Sequence, residues 1–424
     1  MTKCDALTAG GSLRLSRRRF HKTSISALAG ALTAASAERV LGAGDRIQLG
    51  VIGCGGRGST HMANLLKWRE AGEKVDIVAV CDTYKPRLEK AARLTGARLE
   101  TMRHEELVAR SDVDAVLVAT PDHWHGPHSI DALRAGKDIY CEKPLTHWRQ
   151  LGLPEQIVQA AREAKRVVQV GCQRMSSTAY AQARALIQEG AIGQPIQAET
   201  GYYRIGDWGE RGMPVDDPGA RPGPDLDWER FLGDSPKKDF DVSRYFRWRM
   251  YWDYSGGPGT DNYVHFYTPL AFMLDLPYPE TVVALGGKYR YEEREVPDTF
   301  NMVVEYPRKM AVLCHGTQGN DFQSQGSGDS PILRGWEGTL TFEGSDIVVR
   351  PVGGVARPEK RVPIEAGTSE QRFWAEFLEC CRTRKEPRSG VTLNASVATT
   401  LQMAIKALRE SRVVHYDARA GKVI

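Results

Sequence analysis

Short apolar runs and amphipathic stretches alternate through the first part of the chain. The runs Ile47–Ile52, Val75–Cys81, Val113–Ala119, Asp138–Cys141 and Val167–Val170 read as strands, and Gly58–Glu70, Lys85–Leu94, Ile130–Ala135 and Leu153–Lys165 read as helices between them. Strands that are apolar on both faces, each followed by a helix, predict a doubly wound parallel sheet of Rossmann type covered on both sides. The pattern changes after Gly171. A helix at Ala179–Glu189 leads into a strand at Pro195–Tyr203, and a long aromatic loop then runs to about Gly259. Strands at Thr281–Tyr291, Thr299–Tyr306, Met310–Gly316, Gly338–Phe342 and Asp346–Arg350 follow without intervening helices, and Arg308-Lys309 reads as a hairpin turn. Helices at Glu370–Arg384 and Asn394–Ser411 close the chain. This part predicts an α+β domain with a large, mostly antiparallel open sheet. The expected boundaries are 45–171 for the first domain and 172–424 for the second, with residues 1–44 set apart.

Residues 1–44 read as a targeting segment and linker. Arg17-Arg18-Arg19 precede Phe20, an uncharged alanine-rich stretch follows, and Ala35-Ser36-Ala37 ends it in the small-x-small pattern of a cleavage site. Consecutive arginines in that place resemble a twin-arginine export signal, which carries proteins across a membrane already folded. The expectation is a periplasmic or otherwise exported protein that folds around any dinucleotide before leaving the cytoplasm. No apolar run reaches the roughly 20 residues of a membrane span, so the mature form is expected to carry no membrane anchor. A net charge of +4 on 424 residues is too mild for nucleic acid as a partner. The eight cysteines do not form a disulfide framework: Cys4 leaves with the targeting segment, and Cys54, Cys81, Cys141 and Cys172 lie at strand ends as small apolar groups.

The strand Ile47–Ile52 runs into Gly53-Cys54-Gly55-Gly56-Arg57-Gly58 and then a helix. In that context G-x-G-x-x-G is a dinucleotide fingerprint. The first glycine permits the turn, the second admits the pyrophosphate, and the third lets helix and strand approach. The phosphates would meet unpaired N–H groups at the helix start. Asp82 ends the second strand where the adenosine ribose should lie, which favours NAD and makes NADP less likely; Lys85 and Arg87 stand close by.

Two further motifs close later strands: Ala119-Thr120-Pro121-Asp122-His123-Trp124-His125 and Cys141-Glu142-Lys143-Pro144-Leu145. Together with the glycine loop they resemble the glucose–fructose oxidoreductase/inositol dehydrogenase (Gfo/Idh/MocA) family, from about residue 46 to the C-terminus. The resemblance implies a nicotinamide dinucleotide in the first domain and a sugar, polyol or related hydroxyl held against the second domain's sheet. It implies cofactor contacts from Gly53, Gly55, Gly56, Arg57, Gly58, Asp82, Thr120, Pro121, Asp122, His125, Glu142 and Lys143, with Asp122 standing where many relatives carry asparagine. Both motifs lie at carboxyl ends of parallel strands, where such sheets bind ligands. Lys143 is then the ammonium that stabilises developing alkoxide charge. His123 and His125 have no third ligand at metal spacing, so no metal is expected.

The third element is Gly256-Gly257-Pro258-Gly259-Thr260-Asp261-Asn262-Tyr263-Val264-His265, read as a helix start with Thr260 as N-cap. Asp261 and His265 are four apart and would share a face. The helix dipole would lower the histidine pKa towards neutral, as suits a general base. Family members carry Gly-Gly followed by Asp-x-x-x-His, and the resemblance assigns catalysis to Lys143, Asp261 and His265. Gln173 and Arg174 resemble substrate-side residues. Aromatic residues crowd positions 202–263, among them Tyr203, Trp208 and Tyr263. They read equally as stacking platforms for a sugar ring, where Tyr203 and Tyr263 are the candidates, or as a packed loop. The leading function is an oxidoreductase transferring hydride between a sugar or polyol carbon and tightly bound NAD. The alternatives are a glycoside hydrolase working by transient oxidation and elimination, and a non-catalytic sugar or nucleotide sensor. By resemblance, a homodimer or homotetramer is expected.

Overall fold

The computed structural model describes residues 45–206, 213–328 and 330–424, so the targeting-type segment and Trp208 lie outside the described residues. The first domain is a six-stranded parallel sheet. Its strands are β1 (Ile47–Ile52), β2 (Val75–Cys81), β3 (Leu99–Thr101), β4 (Ala115–Val118), β5 (Asp138–Cys141) and β6 (Val168–Val170), in the order β3-β2-β1-β4-β5-β6. β4 and β5 are buried at every residue, as their unbroken apolar runs require. The strand order reverses between β1 and β4, which opens a crevice at their carboxyl ends.

One boundary differs in a way that matters for the site. The helix expected from Ile130 begins at Asp122 and runs to Arg134, so Asp122-His123-Trp124-His125 forms its first turn rather than a strand end. Gly126 and Pro127 make this segment look like a loop in sequence. Gly126 is instead a contact residue: a Cβ there would lie 2.3 Å from Leu153 of the neighbouring helix Leu153–Ala164.

The second domain is built on an 11-stranded mixed sheet. Its central strands are β7 (Pro195–Ile205), β8 (Thr281–Gly287), β9 (Thr299–Tyr306) and β10 (Met310–Thr317). β7 pairs parallel with β10, and the other pairings are antiparallel. β9 and β10 alternate buried and more open residues, as a sheet with one covered face must. The covered face carries the helices Val264–Leu274 and Val391–Glu410. The strand expected over Thr281–Tyr291 stops at Gly287. Asp298 Oδ2 accepts the backbone N–H groups of Tyr289, Arg290 and Tyr291 at 2.8–2.9 Å and turns the chain away from the sheet.

Between β7 and the helix Val264–Leu274, residues 213–256 form a strap with its own aromatic core of Trp228, Phe231, Tyr245, Phe246, Trp248 and Tyr254. The strap lies on the first domain: the Tyr245 hydroxyl is 3.0 Å from that of Thr83, and the Phe231 carbonyl accepts from His123 Nε2 (2.7 Å) and Trp124 Nε1 (2.8 Å). The aromatic stretch is therefore chiefly a packed cover. No helix among the described residues is long and apolar enough to cross a membrane.

Candidate active site

A cavity of about 740 Å³ follows the carboxyl edge of the first sheet. Its wall carries Gly53, Gly55, Gly56 and Arg57 from the glycine loop, Asp82 just after β2, and Thr120, Pro121 and His125 after β4. Glu142, Lys143 and Gln173 continue it, the strap roofs it, and His265 stands at the far end. The lining fits an extended dinucleotide. Gly53 has φ +95°, and a Cβ there would lie 2.6 Å from the Ala119 main chain. The next glycines leave the loop backbone bare, and the buried Thr120 hydroxyl has no hydrogen-bond partner. Asp82 accepts the N–H of Cys54 at 2.7 Å and of Tyr84 at 2.9 Å, which locks the loop beside its carboxylate. Lys85 turns out to Asp225, 3.4 Å away, whereas Arg87 joins the cavity wall.

Glu142 is tied three ways: to Arg57 Nε at 2.8 Å, His61 Nε2 at 2.7 Å and Gln173 Nε2 at 3.0 Å. Burial opposes its charge, but Arg57 and His61 outweigh burial and hold the carboxyl well below the ordinary range. Trp374 Nε1 donates to His61 Nδ1 at 3.0 Å, so His61 donates from Nε2 to Glu142. Arg57 also reaches Glu370 of the second domain at 2.7 Å. Glu370 and Thr368 line the cavity, and no local signal marks them in the sequence.

Lys143 Nζ donates to Asp261 Oδ1 at 2.7 Å and to the Asp261 carbonyl at 2.9 Å. Arg249, from the strap, donates Nε–H to the same Oδ1 at 3.1 Å. Burial would raise the Asp261 pKa, yet Lys143 and Arg249 hold the group far below the ordinary carboxylate range. The expected cap is corrected by the structure. Gly257, at φ +61°, precedes the helical turn with Pro258 at its first position, and Thr260 lies inside it. The turn Pro258–Asp261 ends before Val264–Leu274 begins, so Asp261 closes one helix and His265 opens the next. The His265 pKa is pushed down to about 3 by burial and then by Lys143.

A second recess of about 480 Å³ shares Gln173, His265 and Thr368 with the first cavity and adds Arg174, Tyr202, Arg204, Asn262 and Phe266. The structure thus brings Lys143, Asp261, His265, Gln173 and Arg174 together. It does not bring Tyr203 or Tyr263. Alternation along β7 turns Tyr202 into the recess, stacked on Phe266 at 4.8 Å, while the Tyr203 hydroxyl meets His315 Nδ1 at 2.8 Å on the opposite face. Tyr263 is core, its hydroxyl donating to the Phe300 carbonyl. Asp122 is fully buried behind the wall rather than on it. Burial, and then Asp261 nearby, push its pKa up to about 8. Gly58 also stands behind the wall, where a Cβ would lie 1.9 Å from the Gly53 carbonyl oxygen. The ring nitrogens of His125 face the Pro144 and Thr120 carbonyls at 2.6 and 2.9 Å, which fastens the two motif loops together.

Comparison with known proteins bears on the family, the fold and the cofactor. Residues 47–172 match a family model described as an oxidoreductase family NAD-binding Rossmann fold, and residues 176–285 match that family's C-terminal alpha/beta domain. Inositol 2-dehydrogenase 3 of Saccharopolyspora erythraea is 37% identical over 153 residues, 36% of this chain and 44% of that protein. Inositol 2-dehydrogenase of Klebsiella pneumoniae is 31% identical over 157 residues, 37% of this chain and 45% of that protein. The chain thus spans less than half the length of these curated relatives. Among solved structures, a levoglucosan dehydrogenase complex with NADH aligns with TM-score 0.64 at 17% identity, covering 88% of this chain and 99% of that one. The WlbA dehydrogenase of Bordetella pertussis, complexed with NADH and UDP-GlcNAcA, aligns with TM-score 0.62 at 20% identity over 88% and 99%. At these identities the structures establish the shared fold.

Proposed function

The chain belongs to the Gfo/Idh/MocA oxidoreductase family, and on that premise we propose that it oxidises or reduces a hydroxyl-bearing carbon of a sugar or polyol with a tightly held NAD. One observation carries the reading: His265 lines both the dinucleotide cavity and the substrate-sized recess, and Lys143, bonded to Asp261 behind it, lines the cavity on the same side. When bound, nicotinamide supplies the two-electron acceptor. His265, held neutral, takes the proton of the substrate hydroxyl. The Lys143 ammonium faces the oxygen as its negative charge grows, and Asp261 fixes that ammonium in place.

The test begins with protein purified without added nucleotide. Denaturing it and identifying any released dinucleotide, then offering the intact protein a panel of free sugars, polyols and glycosides, decides the reading. Bound NAD that becomes reduced or exchanges redox state with a sugar supports it. Protein that neither holds nor takes up a dinucleotide removes it. The strap over the cavity favours a retained cofactor, and this keeps a second reading in view: a glycoside hydrolase that oxidises its sugar transiently. Aglycone release without accumulation of NADH selects that reading.

Two further proposals accompany this one. Export through a twin-arginine route is supported by Arg17-Arg18-Arg19 and the uncharged stretch after them, and substitution of the arginine run with cell fractionation tests it. A homodimer or homotetramer is supported by the exposed Ile196, Val283, Leu285 and Val303 on the second domain's sheet, and light scattering tests it.

A further inference from the structure

The same segment that roofs the dinucleotide cavity also reaches the catalytic carboxylate. Phe246, Trp248 and Arg249 are consecutive or nearly so, and all three line the cavity. The Arg249 guanidinium lies over the Trp248 ring at 4.1 Å. The backbone next to it is pinned, because the Met250 carbonyl accepts the N–H of Glu295 at 2.8 Å and of Val296 at 3.3 Å. The middle of the strap, just before this point, is pinned to the first domain through Phe231 and Tyr245. Seating the strap therefore fixes where the Arg249 guanidinium lies.

We propose that Arg249 is a positioning residue that makes the catalytic pair depend on the strap: its guanidinium shares Asp261 Oδ1 with Lys143, and this leaves Lys143 able to act as a net positive group towards the substrate oxygen. The inference rests on the oxidoreductase reading of the site. Lys143 and Asp261 alone form a neutral pair, whose field at a neighbouring oxygen largely cancels. Arg249 brings the triad to one net positive charge inside a water-poor site, where a developing oxyanion gains most from it. The other titratable neighbours of Asp261 are Asp122 and His265. Both are neutral near pH 7, Asp122 as the acid and His265 as the free base, so neither supplies the missing charge.

Arg249→Met and Arg249→Lys are compared with the wild-type holoenzyme by released dinucleotide, thermal unfolding, kcat, KM and the pH profile of kcat, using whichever sugar the wild type turns over. Arg249→Met is expected to keep its dinucleotide and its folding transition while kcat falls about tenfold or more and KM moves less than about threefold. The acid limb moves to higher pH, because losing a cation from the site eases protonation of the base His265 and of Asp261 beside it. Arg249→Lys restores most of kcat and returns the limb. Equal kcat and equal acid limbs in Arg249→Met and wild type overturn the proposal. So does loss of dinucleotide and folding with kcat per bound dinucleotide unchanged, which is what a purely structural strap residue gives. A wild type that holds no dinucleotide and turns over no substrate marks failure of the underlying reading instead, and the proposal falls with it.

Discussion

Lys143 Nζ grips Asp261 at two points, the carboxylate Oδ1 at 2.7 Å and the main-chain oxygen at 2.9 Å. The contact joins the end of the first sheet to the helical turn that opens the second domain's share of the site. A lysine held this way has lost its rotamer freedom before substrate arrives, and its third N–H is left for the reacting oxygen. The pair therefore works as one unit.

Lys143→Met is expected to lower kcat by about 10²–10³-fold while the bound dinucleotide is retained. Asp261→Asn frees the lysine and is expected to cost less. The double variant should be no slower than Lys143→Met, since the second change removes an interaction already gone. Single-turnover kinetics on the holoenzyme check all three. Additive losses would mean that Asp261 acts on the substrate independently of Lys143.

Asp122 gives a prediction about stability. Its folded-state pKa of about 8 lies above the ordinary carboxyl value of roughly 3.9 in an unfolded chain. Between those values the folded state holds a proton that the unfolded state has released. Stability contributed by the neutral acid is thus complete at low pH and is lost as pH rises to about 8. Asp122→Asn cannot ionise, so its Tm relative to wild type should climb from pH 5 to pH 8. Parallel melting curves across that range would show that Asp122 ionises normally.

Much of the dinucleotide half was legible from residue 47 onwards, for a physical reason. A tight turn, a bare backbone facing phosphate and a close helix–strand contact each exclude side chains, so Gly53, Gly55 and Gly58 stand where a Cβ would be in the way. The Lys143 and Asp261 motifs were legible through the family pattern. The strap was not. Arg249 sits among Tyr245, Phe246, Trp248 and Tyr251, a composition that signals packing and says nothing of where one guanidinium points. Glu370 and Thr368 reach the site from far along the chain, and no local spacing announces such an approach. The helix expected from Ile130 begins at Asp122, because a glycine needed for helix–helix contact, Gly126, looks in sequence like a glycine needed for a turn.

Tyr202 and Tyr203 show a limit of a different kind. Two adjacent tyrosines carry no parity signal, and a strand's period of two puts one of them on the wrong face. Tyr202→Ala is expected to raise KM roughly three- to tenfold by removing the aromatic wall of the recess. Tyr203→Phe, on the His315 side, should leave KM unchanged. Steady-state kinetics with the preferred substrate separate the two, and a larger effect at Tyr203 would reverse the facing of β7.

Cofactor choice turns on Asp82 and Arg87. The carboxylate stands on the cavity wall just past β2, and the guanidinium lies on the same wall, 3.0 Å from where a Cβ on Gly55 would sit. Arg87 is held there by Asp216 at 2.6 Å and by the Phe246 ring at 5.0 Å, so the cation remains if the acid is removed. Asp82 repels a 2′-phosphate, whereas Arg87 alone would pair with one. Asp82→Ser keeps an acceptor for the Cys54 N–H and deletes the charge. It is expected to shift the NADP/NAD affinity ratio towards NADP by about tenfold or more, measured by titrating protein stripped of dinucleotide. Adding Arg87→Ala should abolish the gain. If Asp82→Ser weakens both dinucleotides equally, its carboxylate serves the loop alone, and the preference for NAD must come from the roof of the cavity rather than its wall.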